Sequence, residues 1–475
     1  MTYNKSPLLK LIFLLLFTIG LAFNAKSSDL KLSTPILYLE GDSAFAVFNV
    51  SWKNAWHNDK NYDAVWLFFK SIPREGQAHH ISILPDSHIE ITTFSDRNTK
   101  LSFDVTEDST GLFIYPSEEF RGNISATLKI SLERDQFYSI RNRASSFRVF
   151  GIEMVNIPKG SFVLGEPGED ARQFGSFYNP TSSSLPELSE EKTVLEVREN
   201  GSFYYQNHEG YEGDQTGIIP ADFPKGVSSF YVMKYEITES QYVSFLNSLK
   251  GEMLSSRDII NTEYYNYDGG SITLEEGRYS TKHPNKPAIL LSWKDMMGFA
   301  DWAALRPMTE FEFTKAARGN RKPISGELPW GNSNKYGVQR LPDTTGELHM
   351  NNSWTEDMLS QNTLSLFGAS YYWVMDLSGS LWERMVTVGH PNGRTFIGTH
   401  GDGLLSEKGE ATNKDWPSGE IDAGGVGFRG GGFYGYTREY HEYNPFSPIA
   451  YRPYGAWHGV DRGKAYGGRL VRTAN

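Results

Sequence analysis

Histidine and serine side chains could support metal-dependent or acyl-transfer chemistry in this sequence, provided that their spacing brings partners together. There are 11 histidines, and none follows the His-x3-His-x-Glu or His-Glu-x2-His spacing that puts metal ligands on one helical face. No Gly-x-Ser-x-Gly elbow occurs, and polar residues rather than a helix follow the glycine pair at 269–270. The sequence therefore predicts no helix-borne metal site, serine hydrolase site or phosphate-binding loop.

The C-terminal histidines and the absence of cysteine limit the chemistry further. Folding could still gather histidines into a metal centre, for example of the non-heme iron type, although lone histidines are more often surface or core residues. Cysteine is absent from all 475 residues, so we expect no disulfides, no lipid anchor on cysteine and no thiolate site for copper. The histidines in question are His390, His400, His441 and His458.

The N-terminus is expected to direct export. Lys5 and Lys10 precede an uncharged apolar run at 11–23, and small and polar residues follow at 25–28. A run this short fits a signal peptide, predicted at 1–27, because a membrane-spanning helix needs about 20 apolar residues. We expect no transmembrane segment in the mature chain, which would act in the periplasm, at the cell surface or outside the cell. A formal net charge of −11 argues against nucleic acid as a partner.

Two folded units are expected after the signal peptide, giving an α+β protein. An antiparallel β-sandwich is predicted at 28–150 and a second domain at 151–475. Within the second domain, the polar segment at about 166–225 is predicted to be a surface insertion. Strands of the sandwich are predicted from alternating apolar and polar residues, with no helical pattern between them. They lie at 44–52, 64–69, 88–94 and 124–132.

Capping residues and apolar periodicity predict three helices in the second unit. Thr238 and Gln241 fit a capping box at the start of a helix that continues to Leu249. Helical spacing of apolar residues predicts a second helix at 293–304. Thr309 is placed to cap a third helix at 310–318, which Gly319 would end. From residue 371 onward the chain is rich in glycine and aromatic residues, and no clear helix is predicted.

Eight short motifs in the second unit follow one another in the order typical of a known family. None is specific alone, but together they span residues 153–473, and the chain resembles the sulfatase-modifying factor family, which includes the formylglycine-generating enzyme. In chain order the motifs are 154–162 (MVNIPKGSF), 230–238 (FYVMKYEIT), 291–293 (LSW), 306–313 (RPMTEFEF), 328–332 (LPWGN), 379–383 (GSLWE), 428–432 (FRGGG) and 468–472 (GRLVR).

The resemblance implies a compact α+β fold, akin to C-type lectins, with much irregular backbone. It also implies where oxidase chemistry would lie, because the family's copper(I) ion is held by two cysteines that follow the Arg-Gly-Gly strand. Here Gly435 stands near the first of those positions, and glycine cannot replace a thiolate. The sequence is therefore identified as a cysteine-less, exported bacterial member for which the copper-dependent reaction is excluded.

A structural calcium ion is also implied by the resemblance. The family holds calcium in the stretch that matches 376–383, so Asp376 and Glu383 would supply carboxylates, with backbone oxygens from Gly379 and Leu381. Calcium prefers six to eight hard oxygen ligands, which an irregular loop can provide. The alternative is that both carboxylates bind loop amides. A second family calcium site is matched less well, at Asn352 and Ser353.

Aromatic residues and arginines near the C-terminus occupy the stretch that frames the substrate cleft in the family. Such residues could bind an extended peptide or a glycan, because both ligands use stacking and planar hydrogen bonding. The alternative is that they form an aromatic core. The candidate ligand-binding residues are Tyr434, Tyr436, Arg438, Tyr440, Arg452 and Trp457.

Three functions remain open on these observations. The first is a non-catalytic exported protein that binds or scaffolds a protein or glycan at the cell envelope. The second is a metal-dependent oxidoreductase of the same superfamily, of the non-heme iron type. The third is a component of gliding motility or type IX secretion machinery, as some Bacteroidota members of the family are.

Overall fold

The computed structural model describes residues 29–95, 99–142, 145–206, 213–262, 265, 269–350, 353–418, 423–432, 446–457 and 462–474. The predicted signal peptide lies outside these residues. None of the helices within them is long and apolar enough to cross a membrane.

Within the described residues, ten strands and one helix build the N-terminal unit. Their bounds are β1 Lys31–Leu32, β2 Ile36–Glu40, β3 Ser43–His57, β4 Asp63–Ile72, β5 His79–Ile81, β6 Ile89–Thr93, β7 Leu101–Val105, β8 Leu112–Pro116, β9 Phe120–Leu132, α1 Arg134–Asn142 and β10 Ser146–Ile157.

Two sheets face each other in this unit, as the alternating sequence predicts. One sheet has five strands in the order β1-β3-β9-β6, with β2 beside β3, and the other contains β4, β5, β7, β8 and β10. Apolar residues of β3 and β9 meet those of β4 and β8 in a common core, so the sandwich is confirmed. The expectation of no helix was wrong, because α1 packs Phe137 and Ile140 against that core. Phe137 and Ile140 have helical spacing, but this short amphipathic segment lies between two strand patterns, which hide it in the sequence.

Fourteen strands and six α-helices follow in the described part of the second unit. The strands are β11 Phe162–Val163, β12 Glu187–Leu188, β13 Leu195–Val197, β14 Gly217–Ile219, β15 Phe230–Met233, β16 Ile272–Glu275, β17 Arg278–Thr281, β18 Arg306–Pro307, β19 Arg340–Pro342, β20 Leu348–Met350, β21 Trp382–Val386, β22 Val426–Arg429, β23 Tyr466–Gly467 and β24 Leu470–Thr473. The helices are α2 Glu239–Leu246, α3 Gly251–Arg257, α4 Trp293–Trp302, α5 Glu310–Arg318, α6 Leu364–Phe367 and α7 Pro391–Arg394.

The predicted helix starts are confirmed, and the ends differ by a few residues. Thr238 and Thr309 each form the expected capping box, and Gly319 follows the last residue of α5. α2 ends at Leu246, three residues before Leu249, and a separate helix, α3, begins at Gly251. The expectation of no helix beyond residue 371 was wrong, because α7 forms one helical turn there. The His390 side chain caps its N-terminus, and Pro391 is its first residue.

One strand joins the two units. β10 pairs with β4 along Ser146–Val155 and with β15 along Met154–Ile157, so the predicted boundary at 150/151 falls inside a continuous strand. The resulting sheet has eight strands in the order β18-β24-β15-β10-β4-β8-β7, with β5 beside β4. Trp66 of β4 donates a hydrogen bond to the Ala303 carbonyl of the second unit, at 2.8 Å. The units therefore share both a sheet and a hydrophobic core.

The polar segment at 166–225 contributes to the core, contrary to the predicted surface insertion. Its aromatic side chains Phe177, Phe203 and Phe223 surround Phe311 of α5, with ring centroids 5.6, 6.1 and 5.8 Å away. All three are at most 2% exposed. Polar residues separate these aromatics along the chain, so average composition hides them.

Candidate functional site

Five aromatic rings meet beside the sheet of β21, β22 and β23. Trp457 lies 5.3 Å from Tyr454 and 5.7 Å from Phe428, measured between ring centroids. Phe428 in turn lies 4.6 Å from Tyr466, and Tyr454 contacts Trp382 at 5.1 Å. We call these five residues the aromatic cluster. Tyr454 and Trp457 are its half-buried members, so they form its accessible face.

A buried cation supports the cluster from below. The Arg384 guanidinium lies 4.9 Å from the Phe428 ring and 5.5 Å from the Tyr466 ring. Arg384 is 1% exposed, so its positive charge interacts with the two rings and not with solvent. The arrangement suits stacking of a planar or ring-shaped ligand on Tyr454 and Trp457.

Arg452 is fully buried and does not join the accessible face of the cluster. Its Nε and Nη2 donate to the two oxygens of Glu310 at 2.8 and 3.0 Å, and Arg429 adds a hydrogen bond at 3.1 Å. Phe177 and Tyr205 cover the guanidinium at 4.3 and 4.2 Å. Burial raises the pKa of Glu310, but the two arginines outweigh it and hold that pKa below its usual range.

A second candidate site lies along β10, where one strand edge is open. β4 covers one edge of β10, but β15 covers the other edge only from Met154 onward. Among the described residues, no strand pairs with this second edge at 146–152. The chain leaves β15 at Met233 and forms α2, which stands opposite the open edge. An open edge presents unpaired backbone donors and acceptors to a ligand.

The space between the open edge and α2 is a groove of about 940 Å³. Its floor is aromatic, because Phe150 stacks on Phe68 at 5.3 Å and meets the edge of Trp302 at 4.8 Å. Gln241 of α2 and Asn247, which directly follows the helix, are among the polar residues of the opposite wall. We call this space, bounded by 29–32, 146–152 and α2, the β10 groove.

Basic residues dominate the rim of the β10 groove. Lys31, Arg148 and Arg278 line the groove and are exposed. The acidic rim residue Asp29 is paired with Lys53, which lies 2.6 Å away. This concentration of positive charge contrasts with the net charge of −11 on the whole chain. The groove therefore favours ligands that carry negative charge.

The family model for the sulfatase-modifying factor enzyme 1-like domain matches residues 148–474, more than half of the chain. This chain belongs to that family. The match begins inside β10 and covers the aromatic cluster together with the β15–β24 part of the shared sheet.

Individual relatives of the sulfatase-modifying factor family cover shorter stretches. The formylglycine-generating enzyme of Thermomonospora curvata is 29% identical over 108 residues, which is 22% of this chain and 35% of the relative. The enzyme of the same name from Mycobacterium tuberculosis is 27% identical over 109 residues, 23% of this chain and 36% of the relative. The formylglycine-generating enzyme of Bos taurus is 22% identical over 194 residues, which is 36% of this chain and 51% of the relative. The chain thus spans about a third to a half of each of these relatives.

The family cleft is described only in part. Of the predicted ligand-binding residues, Trp457 joins the aromatic cluster and Arg452 lies beneath it in the ion pair with Glu310. The other four, Tyr434, Tyr436, Arg438 and Tyr440, lie outside the described residues.

The residues expected to hold calcium in the sulfatase-modifying factor family are engaged by arginines in this chain. Asp376 accepts a hydrogen bond from Arg340 at 2.8 Å, and both oxygens of Glu383 accept from Arg469 at 2.8–3.0 Å. A guanidinium on each carboxylate supplies the positive charge that calcium would bring, so this arrangement does not fit the ion. The calcium site stays a prediction.

The remaining residues of the expected calcium sites lie in different surroundings. The amide of Gly379 donates to the Gly430 carbonyl at 3.0 Å, and that of Leu381 donates to the Glu236 carboxylate at 2.9 Å. Ser353 is exposed, and Asn352 lies outside the described residues. The structure therefore places Asp376, Gly379 and Leu381 in the loop before β21 and Glu383 in β21 itself, with both carboxylates and both amides bonded to protein partners.

Of the four C-terminal histidines, two are described. His390 accepts from the amide of Asn392 at 3.1 Å, and His400 accepts from the amide of Thr473 at 3.0 Å. Neither belongs to a group of three metal-ligating side chains within the described ranges. His441 and His458 lie outside those ranges.

Sequence reasoning missed the β10 groove. Its walls come from three segments that are far apart in the chain, and the open edge exists only because β15 stops pairing at Met154. The available signal was the continuous strand pattern across 146–157, which could have indicated that the second unit begins inside a strand.

Proposed function

We propose that this chain is an exported, non-catalytic binding protein that recognises an extended, acidic polypeptide segment of a partner at the cell envelope. The open edge of β10 at 146–152 carries the proposal. Strand addition to such an edge gains backbone hydrogen bonds with little dependence on sequence. The groove around the edge then supplies the selectivity.

Two properties of the β10 groove define the ligand. Alternate side chains of an added strand point to opposite faces, so one set would reach Phe150 and Trp302 while the other faces solvent. Lys31, Arg148 and Arg278 would attract acidic side chains or a carboxylate terminus at the rim. An extended segment with alternating apolar and acidic residues fits both properties.

Absence of the oxidase chemistry supports the non-catalytic part of the proposal. The chain has no cysteine for copper(I), and Asp376 and Glu383 are each paired with an arginine. We expect the purified mature protein, supplied with copper, to leave a cysteine-containing sulfatase peptide unoxidised, as measured by mass spectrometry. We also expect no iron or copper in stoichiometric amount by elemental analysis. Stoichiometric iron would favour the oxidoreductase instead.

Peptide binding by the mature protein tests the groove directly. A library of extended peptides with alternating apolar and acidic positions should give ligands, and Arg148→Glu should weaken the best of them by about tenfold or more, since it reverses a rim charge. Lys322→Glu, a charge reversal at an exposed residue outside the groove, is the matched control. Equal binding by both variants, or selection of basic peptides, would overturn the proposal.

Binding of a glycan is the competing result. A glycan would stack on Tyr454 and Trp457 of the aromatic cluster, so Trp457→Ala would abolish its binding and Arg148→Glu would leave it unchanged. That pattern would move the binding function from the groove to the family cleft.

A further inference from the structure

Three charged side chains meet on one face of the shared sheet, where β4, β10 and β15 adjoin. Asp63 is the first residue of β4, Glu153 lies in β10, and Lys234 directly follows β15. Asp63 pairs with Val155 of β10, and the amide of Lys234 donates to the Glu153 carbonyl at 3.0 Å. Because residues two apart on a strand share a face, the three side chains lie on the same side of the sheet.

Nζ of Lys234 is close to both carboxyl groups in a dry environment. It donates a hydrogen bond to Oε2 of Glu153 at 3.2 Å and lies 3.9 Å from Oδ2 of Asp63. The three side chains are at most 3% exposed. The rings of Trp56 and Tyr235 lie 5.0 and 5.3 Å from Nζ. Water is therefore kept away from an amine and an acid that stand side by side.

The two oxygens of Asp63 have different surroundings. Oδ1 accepts a hydrogen bond from the Trp56 amide at 3.0 Å, whereas Oδ2 is buried and has no hydrogen-bond partner among the described residues. Burial raises the pKa of Asp63 to about 7, although Lys234 and the Trp56 amide oppose the rise. A carboxyl group that is partly protonated near neutral pH, with one oxygen polarised by an N–H donor, is a suitable electrophile for an amine.

The amine needs a base before it can react. Burial lowers the pKa of Lys234, but Glu153 and Asp63 outweigh it and hold that pKa above its usual range. The ammonium group must therefore pass a proton to a carboxylate before Nζ can act as a nucleophile. Glu153 already accepts a hydrogen bond from Nζ, so it is placed to take that proton.

We propose that Lys234 and Asp63 form an intramolecular amide bond, with Glu153 carrying the protons. Glu153 takes one proton from the ammonium group, and the neutral Nζ attacks Cγ of the protonated Asp63. Glu153 then returns its proton to Oδ2, the Cγ–Oδ2 bond breaks, and water leaves. Glu153 takes the second proton from Nζ. One Nζ–Cγ bond replaces one Cγ–Oδ2 bond, one water is released, Glu153 ends with one proton, and nothing is oxidised or reduced.

The buried setting favours the amide over the separate groups. An ammonium and a carboxylate cost free energy in a dry site, and the amide carries no charge. The fold also holds the amine beside the acid, which for well-oriented groups equals an effective concentration of about 10⁵ M or more. The bond fastens β4 of the sandwich to the end of β15 in the family domain, across β10.

Mass spectrometry of the intact mature protein tests the bond. The parent should be lighter, by the mass of one water molecule, than its sequence counted from the observed N-terminus. Protease digestion should release a branched peptide in which fragment spectra join Lys234 to Asp63. Lys234→Arg keeps the positive charge but replaces the amine by a much weaker nucleophile, so this variant should have its full mass. Glu153→Gln removes the proton carrier and should leave a larger fraction of chains at full mass.

Lys60→Arg is the matched control, because Lys60 lies three residues before Asp63 but contacts the Tyr371 ring instead of the cluster. It should keep the loss of water. A succinimide at an Asp-Gly pair would also lose water, but it would persist in Lys234→Arg, and a loss that persists there overturns the proposal. Full mass in the parent, with circular dichroism verifying that it is folded, overturns it as well.

Asp63→Asn provides a second test if Lys234→Arg does not fold. Attack on the amide of this variant would release ammonia in place of water, so the product should have the same mass as the linked parent. A folded Asp63→Asn protein at its full mass would contradict the bond. Complete linkage in Glu153→Gln would contradict the role of Glu153. None of these results bears on peptide binding by the β10 groove.

Discussion

Two buried clusters of charge in this protein use opposite ratios of acid to base. At Glu310, one carboxylate faces two arginines, Arg429 and Arg452. At Arg469, one guanidinium serves Glu383 directly, and a second carboxylate, Glu236, lies close enough to interact with both. All six side chains are at most 2% exposed. Water therefore screens neither cluster, and the ratio of charges determines the behaviour of each.

The pKa values follow the ratio of charges. Two arginines hold the pKa of Glu310 below its usual range in spite of burial. Burial, together with the negative charge of Glu383, raises the pKa of Glu236 well above its usual range. Burial also raises the pKa of Glu383, although Arg469 opposes it. The folded protein thus favours the ionised form of the glutamate in the Glu310 cluster and the protonated form of a glutamate in the Arg469 cluster.

Replacing Glu310 by glutamine should have the largest effect. The change leaves Arg429 and Arg452 buried without their counter-charge, which costs about 3–5 kcal/mol for a buried pair. Urea unfolding at pH 7 would measure the loss. The pKa of Glu310 is lower in the folded protein than in the unfolded chain. The variant's loss of unfolding free energy should therefore have its full size above the unfolded pKa of about 4.5, and it should shrink as the pH falls through the folded pKa. Glu90→Gln on an exposed strand is the control, and it should show no measurable loss.

Replacing Glu383 by glutamine should have an intermediate effect, about 2–3 kcal/mol. Arg469 loses its bidentate partner, but the change also removes the negative charge that helps raise the pKa of Glu236, so Glu236 can ionise beside Arg469 and compensate in part. The same unfolding experiment measures it. A loss as large as that of Glu310→Gln would show that the second carboxylate offers no compensation, and the comparison between the clusters would fail.

Replacing Glu236 by glutamine should have the smallest effect, at most about 1 kcal/mol near neutral pH. The amide keeps an acceptor for the Leu381 amide or the Ser380 hydroxyl, which now bind Glu236. The folded pKa of Glu236 is raised, so the parent protein should lose stability from this group as the pH rises above about 4.5. The Glu236→Gln variant should lose less stability over the same rise in pH. Urea unfolding from pH 4 to 8 would check this, and an unchanged slope would contradict the raised pKa.

Local features of the fold could be predicted from the sequence. Thr238 and Thr309 cap helices because the signal lies within four residues, and the sandwich strands alternate because each has one buried face. The helix α1 escaped prediction because it is short and lies between two strand patterns, and the aromatic residues of 166–225 escaped because polar residues separate them.

The sites could be predicted only in part, because their partners are distant in sequence. Arg452 was predicted to bind a ligand, yet it pairs with Glu310, 142 residues earlier in the chain. Asp376 and Glu383 lie in the loop before β21 and within β21, where the family motif puts them, but Arg340 and Arg469, which engage them, carry no local signal. A motif therefore predicts where a side chain lies but not which charge meets it.

The shared strand has a mechanical consequence. β10 is one uninterrupted strand between the sandwich and the family domain, with ten residues paired to β4 and four to β15. Tension applied to either unit passes into the other through covalent backbone and a ladder of hydrogen bonds, without a hinge to absorb it. The two units should therefore unfold together, under force or on heating, in one cooperative transition rather than independently.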